Sequence, residues 1–382
     1  MQHKNSVFHD LLKHIPWAAF DGLVERHGAD FRVRTLSSKS QLIALLYGQL
    51  AGAAGLREIV GALESHAARL YHLGGKPVAR ATLSDANAQR PCALFSDLLA
   101  RLIAQAHRGL RRTLAETTYL IDSTGLRLSG LSGWARFSAG VHGVKAHIVY
   151  DADADCPTYL AVTPANVNDI TAAQKMPIEP GATYVFDLGY CDYRWWAELD
   201  DAGCRIVTRF KANTPLAGIE ERPVPADDGD ILSDRIGFLP ARQGRSRRNP
   251  MANAVREVRV RIETGKELRI LANDLDAGAR EIADLYKRRW AIELFFRWVK
   301  QTLRITRFVG RSENAVRIHI TVALIAFLLI RLAQATQNVT KSPLAFARLI
   351  RANLMHRRRI DRLIDPFPEP RQTTDQLTIQ WT

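Results

Sequence analysis

Three acidic residues occur where they could hold a divalent metal ion. Asp122 follows the apolar segment TTYLI and Asp187 follows TYVF, so each is predicted to end a short β-strand, whereas Glu293 lies among strong helix formers. Three hard oxygen ligands without a His or Cys cluster suit Mg²⁺ or Mn²⁺. Two such ions can activate an attacking hydroxyl and stabilise the leaving oxygen in phosphoryl transfer. The alternative is that both aspartates are ordinary turn residues.

The segment around Glu293 places this carboxylate among cations. The residues YKRRWAIELFFRWVK contain no Gly or Pro and are predicted to form one helix. Because an α-helix turns by about 100° per residue, the side chains four and seven positions from Glu293 share its face. These are the side chains of Tyr286, Arg289, Arg297 and Lys300, and the three cations among them are candidate contacts to the phosphates of a nucleic-acid strand. The alternative is a solvated face on which Glu293 pairs with two arginines.

The composition favours a polyanionic partner. Lys and Arg number 53 against 39 Asp and Glu, which gives a formal net charge of +14. Such an excess favours nucleic acid, ahead of an anionic membrane surface, and a merely basic enzyme is the alternative. The four cysteines include no CxxC pair, so neither a zinc site nor a disulfide framework is signalled.

The apolar segments do not indicate a membrane partner. The N-terminal residues lack the apolar core of a signal peptide. The longest apolar run, residues 320–330, is too short to cross a bilayer and predicts a buried helix. We therefore expect a cytoplasmic protein in a reducing compartment.

The first part of the chain is predicted to be helical. Apolar residues recur at three- and four-residue spacing through residues 1–108, which indicates an all-helical N-terminal domain. Within it, RATLSDANAQR is predicted to be a short helix with polar side chains that contact DNA, and a plain helical bundle is the alternative. Those side chains are Arg80, Asn87, Gln89 and Arg90.

The rest of the chain changes its pattern twice. From residue 109 strands and helices alternate, which predicts an α/β domain that extends to about residue 340. Residues 211–275 differ, because they are rich in proline and end in VREVRVRIETGKELRILAND, which alternates like a β-hairpin. They predict a β-rich insertion outside the α/β core. Residues 341–382 are predicted to be a basic C-terminal tail that is loosely ordered from about Pro366.

These segments together resemble a known family. The predicted helix matches the signature Y-x2-R-x3-E-x6-K, and the segments TTYLIDSTG, VFDLGY and SENAVRIHITVALIAFLL match around it. On these residues the chain resembles the DDE transposases of bacterial insertion sequences, in the group typed by insertion sequence four. The resemblance covers roughly residues 115–335.

The resemblance implies an RNase H-like catalytic core, interrupted by the β-rich insertion, with two divalent ions, Mg²⁺ or Mn²⁺. It implies that water frees a 3′-OH at the element's end and that this hydroxyl attacks target DNA. The implied partners are double-stranded DNA, both terminal inverted repeats and target, and a second copy of the chain in a homodimeric synaptic complex. A nucleoid-associated bacterial protein is expected.

The resemblance also assigns roles to the residues already singled out. It carries over Asp122, Asp187 and Glu293 as catalytic metal ligands. The contacts to transposon-end DNA that it implies are Tyr286, Arg289 and Lys300, with Arg297 as a looser match.

Two other functions stay open on the sequence. One is an RNase H-like DNA nuclease that does not transfer strands. The other is a non-catalytic DNA-binding regulator whose acidic residues are structural. An RNA-binding protein is a remote third, because the chain has no aromatic strand motif of that kind.

Overall fold

A computed structural model describes residues 6–110, 117–138, 140–224, 229–243, 247–303 and 305–363. The prediction of loose order from about Pro366 lies outside these ranges. Part of the predicted insertion also lies outside them, at residues 225–228 and 244–246. The helices are α1 (Val7–Leu12), α2 (Trp17–Arg26), α3 (Ser38–Ala51), α4 (Leu56–Ser65), α5 (Ala67–Leu73), α6 (Arg80–Gln89), α7 (Cys92–Leu110), α8 (Asp169–Ala173), α9 (Tyr193–Asp201), α10 (Ala279–Arg288), α11 (Trp290–Thr302), α12 (Glu313–Thr336) and α13 (Pro343–Asn353).

The strands lie between α7 and α10. Short 3-10 turns occur at Gly133–Ala135, Leu188–Tyr190 and Ile360–Leu363. The strands are β1 (Thr118–Arg127), β2 (Arg136–Ser138), β3 (Val141–Asp151), β4 (Cys156–Pro164), β5 (Thr183–Phe186), β6 (Arg205–Arg209), β7 (Ala217–Arg222), β8 (Ile231–Phe238), β9 (Arg242–Gln243), β10 (Arg247–Arg248), β11 (Val255–Arg261) and β12 (Glu267–Ala272).

A mixed 10-stranded sheet forms the centre of the protein. Its order is β2-β3-β1-β5-β6-β12-β11-β8-β7, and β4 pairs with β3. β1 is parallel to β5, β5 is parallel to β6, and β3 is antiparallel to β1 and β4. Helices α8 and α9 connect the strands, as the alternating pattern predicts. Strands β4, β3, β1, β5 and β6 therefore form the expected RNase H-like core.

Residues of the β-rich segment extend this sheet. β11 and β12 form a hairpin in which Arg261 faces Glu267, and Gly265 adopts the left-handed conformation (φ +78°) at its turn. β12 then pairs with β6, with Leu271 opposite Thr208. The predicted β-rich insertion is therefore present, and its strands lie beyond the five-stranded core, where they continue the hydrogen-bonded ladder from the edge of β6.

Helix α12 joins the N-terminal helices to the sheet. It packs against α3, α6 and α7, and its residues belong to one hydrophobic cluster with theirs and with β1, β3 and β12. It is long and apolar enough to cross a membrane, but 89% of its most apolar stretch is buried inside the protein. α3 and α4 pass the same test only as a pair bent by 102°. α12 is thus a core helix.

Two of the side chains that were predicted to contact DNA from α6 are buried instead. Asn87 accepts a hydrogen bond from Gln41 (2.8 Å), and Arg90 donates to the side-chain oxygen of the same glutamine (2.7 Å). Asn314, at the start of α12, donates to the backbone carbonyls of both residues. The predicted DNA contacts of Asn87 and Arg90 are therefore wrong, since both hold helices together. Arg80 and Gln89 are exposed.

Candidate active site

Two of the three acidic residues lie side by side on parallel strands. In the register of β1 and β5, Ile121 is opposite Phe186, so the next residues, Asp122 and Asp187, are neighbours across strands spaced about 4.8 Å apart. Asp187 follows the last residue of β5, as predicted. Asp122 does not end its strand, because β3 pairs with β1 as far as Arg127. The prediction of a strand end was wrong there.

The helix that carries Glu293 has a one-residue interruption. α10 ends at Arg288 and α11 begins at Trp290, whereas the sequence predicts one continuous helix. Arg289, between them, keeps helical dihedral angles (φ −51°, ψ −28°), and its N–H bonds the Tyr286 carbonyl at 3.1 Å. α11 packs against β1 with Glu293 in its first turn.

The side chain of Arg289 connects two of the acidic residues. Its Nη2 donates a hydrogen bond to Oε1 of Glu293 at 2.6 Å, and its Nη1 lies 3.6 Å from Oδ2 of Asp122. Because one planar guanidinium spans the gap, both carboxylates lie within reach of a single cationic group. The ion pair expected if Glu293 were only part of a solvated face is present, but it extends to a strand residue of the core.

Tyr286 contacts the third acidic residue. Its side chain is buried, and its Oη donates a long hydrogen bond of 3.4 Å to Oδ1 of Asp187. Burial and the nearby charge of Asp187 raise the pKa of Tyr286 to about 12, so the phenol remains a donor at neutral pH. The ring also lies 5.7 Å from the guanidinium carbon of Arg289. The free protein thus uses Tyr286 to hold Asp187.

The two remaining predicted cations differ in their surroundings. Lys300 is partly buried, and burial lowers its pKa while the nearby charge of Asp122 acts in the opposite direction. Its ammonium therefore belongs to the same electrostatic cluster as the acidic residues. Arg297 is exposed on α11, where it is accessible to a large partner.

The acidic residues influence one another. Burial raises the pKa of Asp122 to about 6, and the charges of Glu293 and Asp187 act in the same direction. The backbone N–H of Ser123, at 2.7 Å, and the guanidinium of Arg289 oppose this rise. A cation placed among these carboxylates, either a side chain or a metal ion, would stabilise their charged forms.

The donor chemistry of this cluster fits a divalent metal ion. Asp122, Asp187 and Glu293 offer only carboxylate oxygens, the ligands that Mg²⁺ and Mn²⁺ prefer. Within the ranges of the chain that the structure describes, however, no three acidic, His or Cys side chains are drawn together tightly enough to coordinate an ion. Arg289 spans two of the candidate ligands, so its side chain would have to move for them to close around a metal.

A polar network beside Asp122 escaped the sequence analysis. Asp169 accepts hydrogen bonds from the Ser123 hydroxyl (2.7 Å) and the Lys145 ammonium (3.1 Å), and its Oδ1 lies 3.6 Å from Nδ1 of His147. The sequence assigned Asp169 only to the start of α8. The alternation of β3 was the available signal, because it directs Lys145 and His147 to the same face of the sheet.

The chain matches known protein families in two regions. The model of the "Transposase DDE domain" matches residues 114–329, which is more than half of the chain. The model of a "Domain of unknown function (DUF4372)" matches residues 3–76. The first range contains the three predicted catalytic residues and the four predicted DNA contacts of the signature helix.

Individual relatives agree with the family match. The chain is 40% identical to a protein of Sinorhizobium fredii named as transposase y4zB, over 75% of this chain and 80% of the relative. It is 28% identical to a transposase for insertion sequence element IS5377 of Geobacillus stearothermophilus, over 71% of both chains. It is 22% identical to a transposase for element IS4SA of Synechocystis, over 68% of this chain and 73% of that one. The chain therefore belongs to the DDE transposases, the metal-dependent DNA cleavage and transfer enzymes of insertion sequences.

Proposed function

We propose that Asp122, Asp187 and Glu293 form the catalytic centre with which this DNA transposase cleaves the ends of its insertion sequence and joins the freed 3′-OH to target DNA. The observation that carries the proposal is the junction of β1, β5 and α11. It brings two aspartates together on parallel strands and links the helical glutamate to one of them through Arg289. A helix with only solvated ion pairs would not need this connection to the core sheet.

Each residue of the cluster has a task in this proposal. The three carboxylates would hold two divalent ions, Mg²⁺ or Mn²⁺. Bound there, such ions would lower the pKa of an attacking water or hydroxyl and neutralise charge on the leaving oxygen. Tyr286 keeps Asp187 in place through its hydroxyl. Arg289 exchanges its carboxylate partners for a DNA phosphate when the substrate binds.

The cations on α11 place the DNA strand. Lys300 lies close enough to Asp122 for that carboxylate to act on the pKa of its ammonium, so a phosphate bound by Lys300 would be beside the acidic cluster. Arg297, exposed on the same helix, would bind a phosphate farther along the strand. We propose that the surface around Lys300 and Arg297 binds both the terminal inverted repeats and the target DNA. The active complex is a homodimer that pairs two ends of the element, in a bacterial, nucleoid-associated protein.

The substitution Glu293→Gln tests the catalytic role. It preserves size and removes the charge that holds a metal ion, so cleavage of end DNA with Mg²⁺ should fall to background while end binding is retained. The matched control is Glu313→Gln, because Glu313 forms another i,i+4 pair with an arginine, Arg317, at 2.6 Å on α12. Full cleavage by the Glu293→Gln protein would end the catalytic assignment.

The same assays separate the alternatives. Nicking of end DNA without joining to a second duplex identifies a nuclease that lacks strand transfer. Binding without any metal-dependent nicking by the wild-type protein identifies a regulator. Joining of a cut end to a second duplex identifies the proposed activity.

A further inference from the structure

An exposed loop of the N-terminal helices alternates apolar and basic side chains. Residues 31–35, the sequence Phe-Arg-Val-Arg-Thr between α2 and α3, are all exposed, and we call them the Phe31 loop. Phe31 is 75% exposed and Val33 is 38% exposed. The guanidinium of Arg32 lies 5.1 Å from the centre of the Phe31 ring. The loop therefore presents an aromatic ring and cationic groups together.

The two ends of the loop are fixed by one buried side chain. Arg90 donates from Nε to the carbonyl of Ala29 at 3.2 Å and from Nη2 to the carbonyl of Leu36 at 2.5 Å. Asp30, on the same side, accepts from both the backbone N–H (2.8 Å) and the hydroxyl (2.7 Å) of Ser38. The loop is thus closed at its base by a buried guanidinium, with its tip left in solvent.

This anchoring suits a binding element. A loop whose ends are held in the free protein loses less conformational entropy when it binds a partner. The backbone of Arg32 is also held in the left-handed region (φ +57°), which is uncommon for a residue other than glycine. Such local strain is maintained only where the surrounding structure enforces it. The buried side chain of Arg90 supplies that support through its hydrogen bonds to both ends of the loop.

We propose that the Phe31 loop is a contact to duplex DNA, in which Phe31 packs against bases or sugars and Arg32 and Arg34 bind flanking phosphates. Apolar side chains that enter a groove and arginines that neutralise phosphates are both established modes of DNA binding. The net charge of +14 supplies the complementary field. The proposal rests on the transposase function, and it gives a role to part of the region that matches the domain of unknown function.

Binding assays on loop variants test this contact. The probes are a duplex that carries an inverted repeat found beside the gene and a random duplex of equal length. Phe31→Ala should weaken binding roughly tenfold at constant salt, because loss of an aromatic contact to a base costs about that factor, and the salt dependence should stay the same. The double variant Arg32→Ala/Arg34→Ala should reduce the slope of log affinity against log salt by about two.

The same region provides matched controls. Tyr71, on α5, is an even more exposed aromatic residue (84%), and Arg57 and Arg101 are exposed on α4 and α7. Tyr71→Ala and the double variant Arg57→Ala/Arg101→Ala should bind within twofold of the wild type. Equal losses of affinity in the loop and control variants would indicate binding by a diffuse basic surface and overturn the proposal. Loop variants that bind DNA with wild-type affinity would also overturn it.

Photocrosslinking gives a measurement that does not depend on a loss of affinity. The photoreactive residue p-benzoylphenylalanine in place of Phe31 should crosslink to the duplex, and the same residue in place of Tyr71 should not. A loop variant that loses binding to anionic phospholipid vesicles but keeps duplex binding would identify a membrane contact and overturn the DNA assignment. Wild-type cleavage is assayed in parallel. If it is absent while the loop still crosslinks, the proposed activity fails and the loop contact stands.

Discussion

The Nη2 of Arg289 lies 2.6 Å from Oε1 of Glu293, with the other end of the same guanidinium turned toward Asp122. A side-chain cation therefore lies between two carboxylates that the proposed chemistry assigns to a metal ion. Arg289 and the metal compete for the same charge, and a DNA phosphate competes with the carboxylates for Arg289. DNA that draws Arg289 away from the carboxylates should therefore favour metal binding. Metal binding should favour DNA binding by the same factor, because the effects of two ligands on each other are reciprocal.

Removal of Arg289 should strengthen metal binding in the absence of DNA. In Arg289→Ala the carboxylates lose their internal cation, so the affinity for Mn²⁺ should rise about fivefold, the factor expected when a partly exposed ion pair is lost. Isothermal titration calorimetry with Mn²⁺ measures this. End DNA should tighten Mn²⁺ binding to the wild type but hardly to the variant. Arg317→Ala, which breaks the i,i+4 pair on α12, is the control, and weaker Mn²⁺ binding by Arg289→Ala would contradict the competition.

Lys300 should contribute one phosphate contact. Lys300→Ala should weaken end binding and lower the slope of log affinity against log salt by about one. Fluorescence anisotropy at several salt concentrations measures the slope. Arg297→Ala should give a similar change, since its side chain is already exposed on the same helix. A slope that equals the wild-type value in both variants would remove α11 from the DNA surface.

The free energy of unfolding should depend on the charge of Asp122. Burial raises the pKa of Asp122 in the folded protein to about 6 from an ordinary value of 3.8, so the folded state binds this proton more tightly than the unfolded chain. The favourable contribution of the protonated form is complete below pH 3.8 and is lost as the pH rises through about 6. Asp122→Asn should therefore raise the melting temperature by roughly 2–4 °C at pH 8 in EDTA.

Two controls define this effect. The gain should shrink as the pH falls from 6 to 4, and Asp85→Asn, at an exposed position on α6, should give no comparable gain. Added Mg²⁺ should stabilise the wild type more than Asp122→Asn, because a ligand that binds only the folded state raises its stability. A gain that is independent of pH would indicate a cause other than the buried charge.

Asp169 should help to position Ser123 and the adjacent Asp122 without binding DNA itself. In Asp169→Asn the ammonium of Lys145 loses its carboxylate partner and Ser123, next to Asp122, loses a charged acceptor. We expect cleavage to slow by about tenfold, the factor that a charge-assisted hydrogen bond supports, with end affinity unchanged. Single-turnover cleavage at saturating DNA separates the two quantities. A variant with weaker binding and a normal single-turnover rate would assign Asp169 to DNA contact.

Local periodicity predicted the parts of the site that depend on near neighbours in sequence. The i,i+4 relation between Arg289 and Glu293 follows from the helical repeat alone, and it persists through the interruption between α10 and α11. The strand position of Asp187 followed in the same way from the apolar run before it. Both features are decided within a few residues of the chain.

Features that depend on distant partners could not be predicted. β1 continues beyond Asp122 because β3 pairs with it, although Ser123 and Thr124, which follow directly, are polar. Arg90 resembles an exposed recognition residue until Leu36 and Gln41, some fifty positions earlier in the chain, are placed around it. The extension of the core sheet by β12 likewise depends on an edge that β6 offers only after folding.

The packing of α12 against the N-terminal helices limits how this enzyme can be divided. α7, α3 and α6 cover a helix that is apolar enough to cross a membrane, so a catalytic fragment without them would expose that surface to water. Such a fragment should precipitate rather than act as a soluble inhibitor of the full-length enzyme. Hybrids that exchange the N-terminal region between related elements should therefore stay soluble only when α12 is exchanged with it.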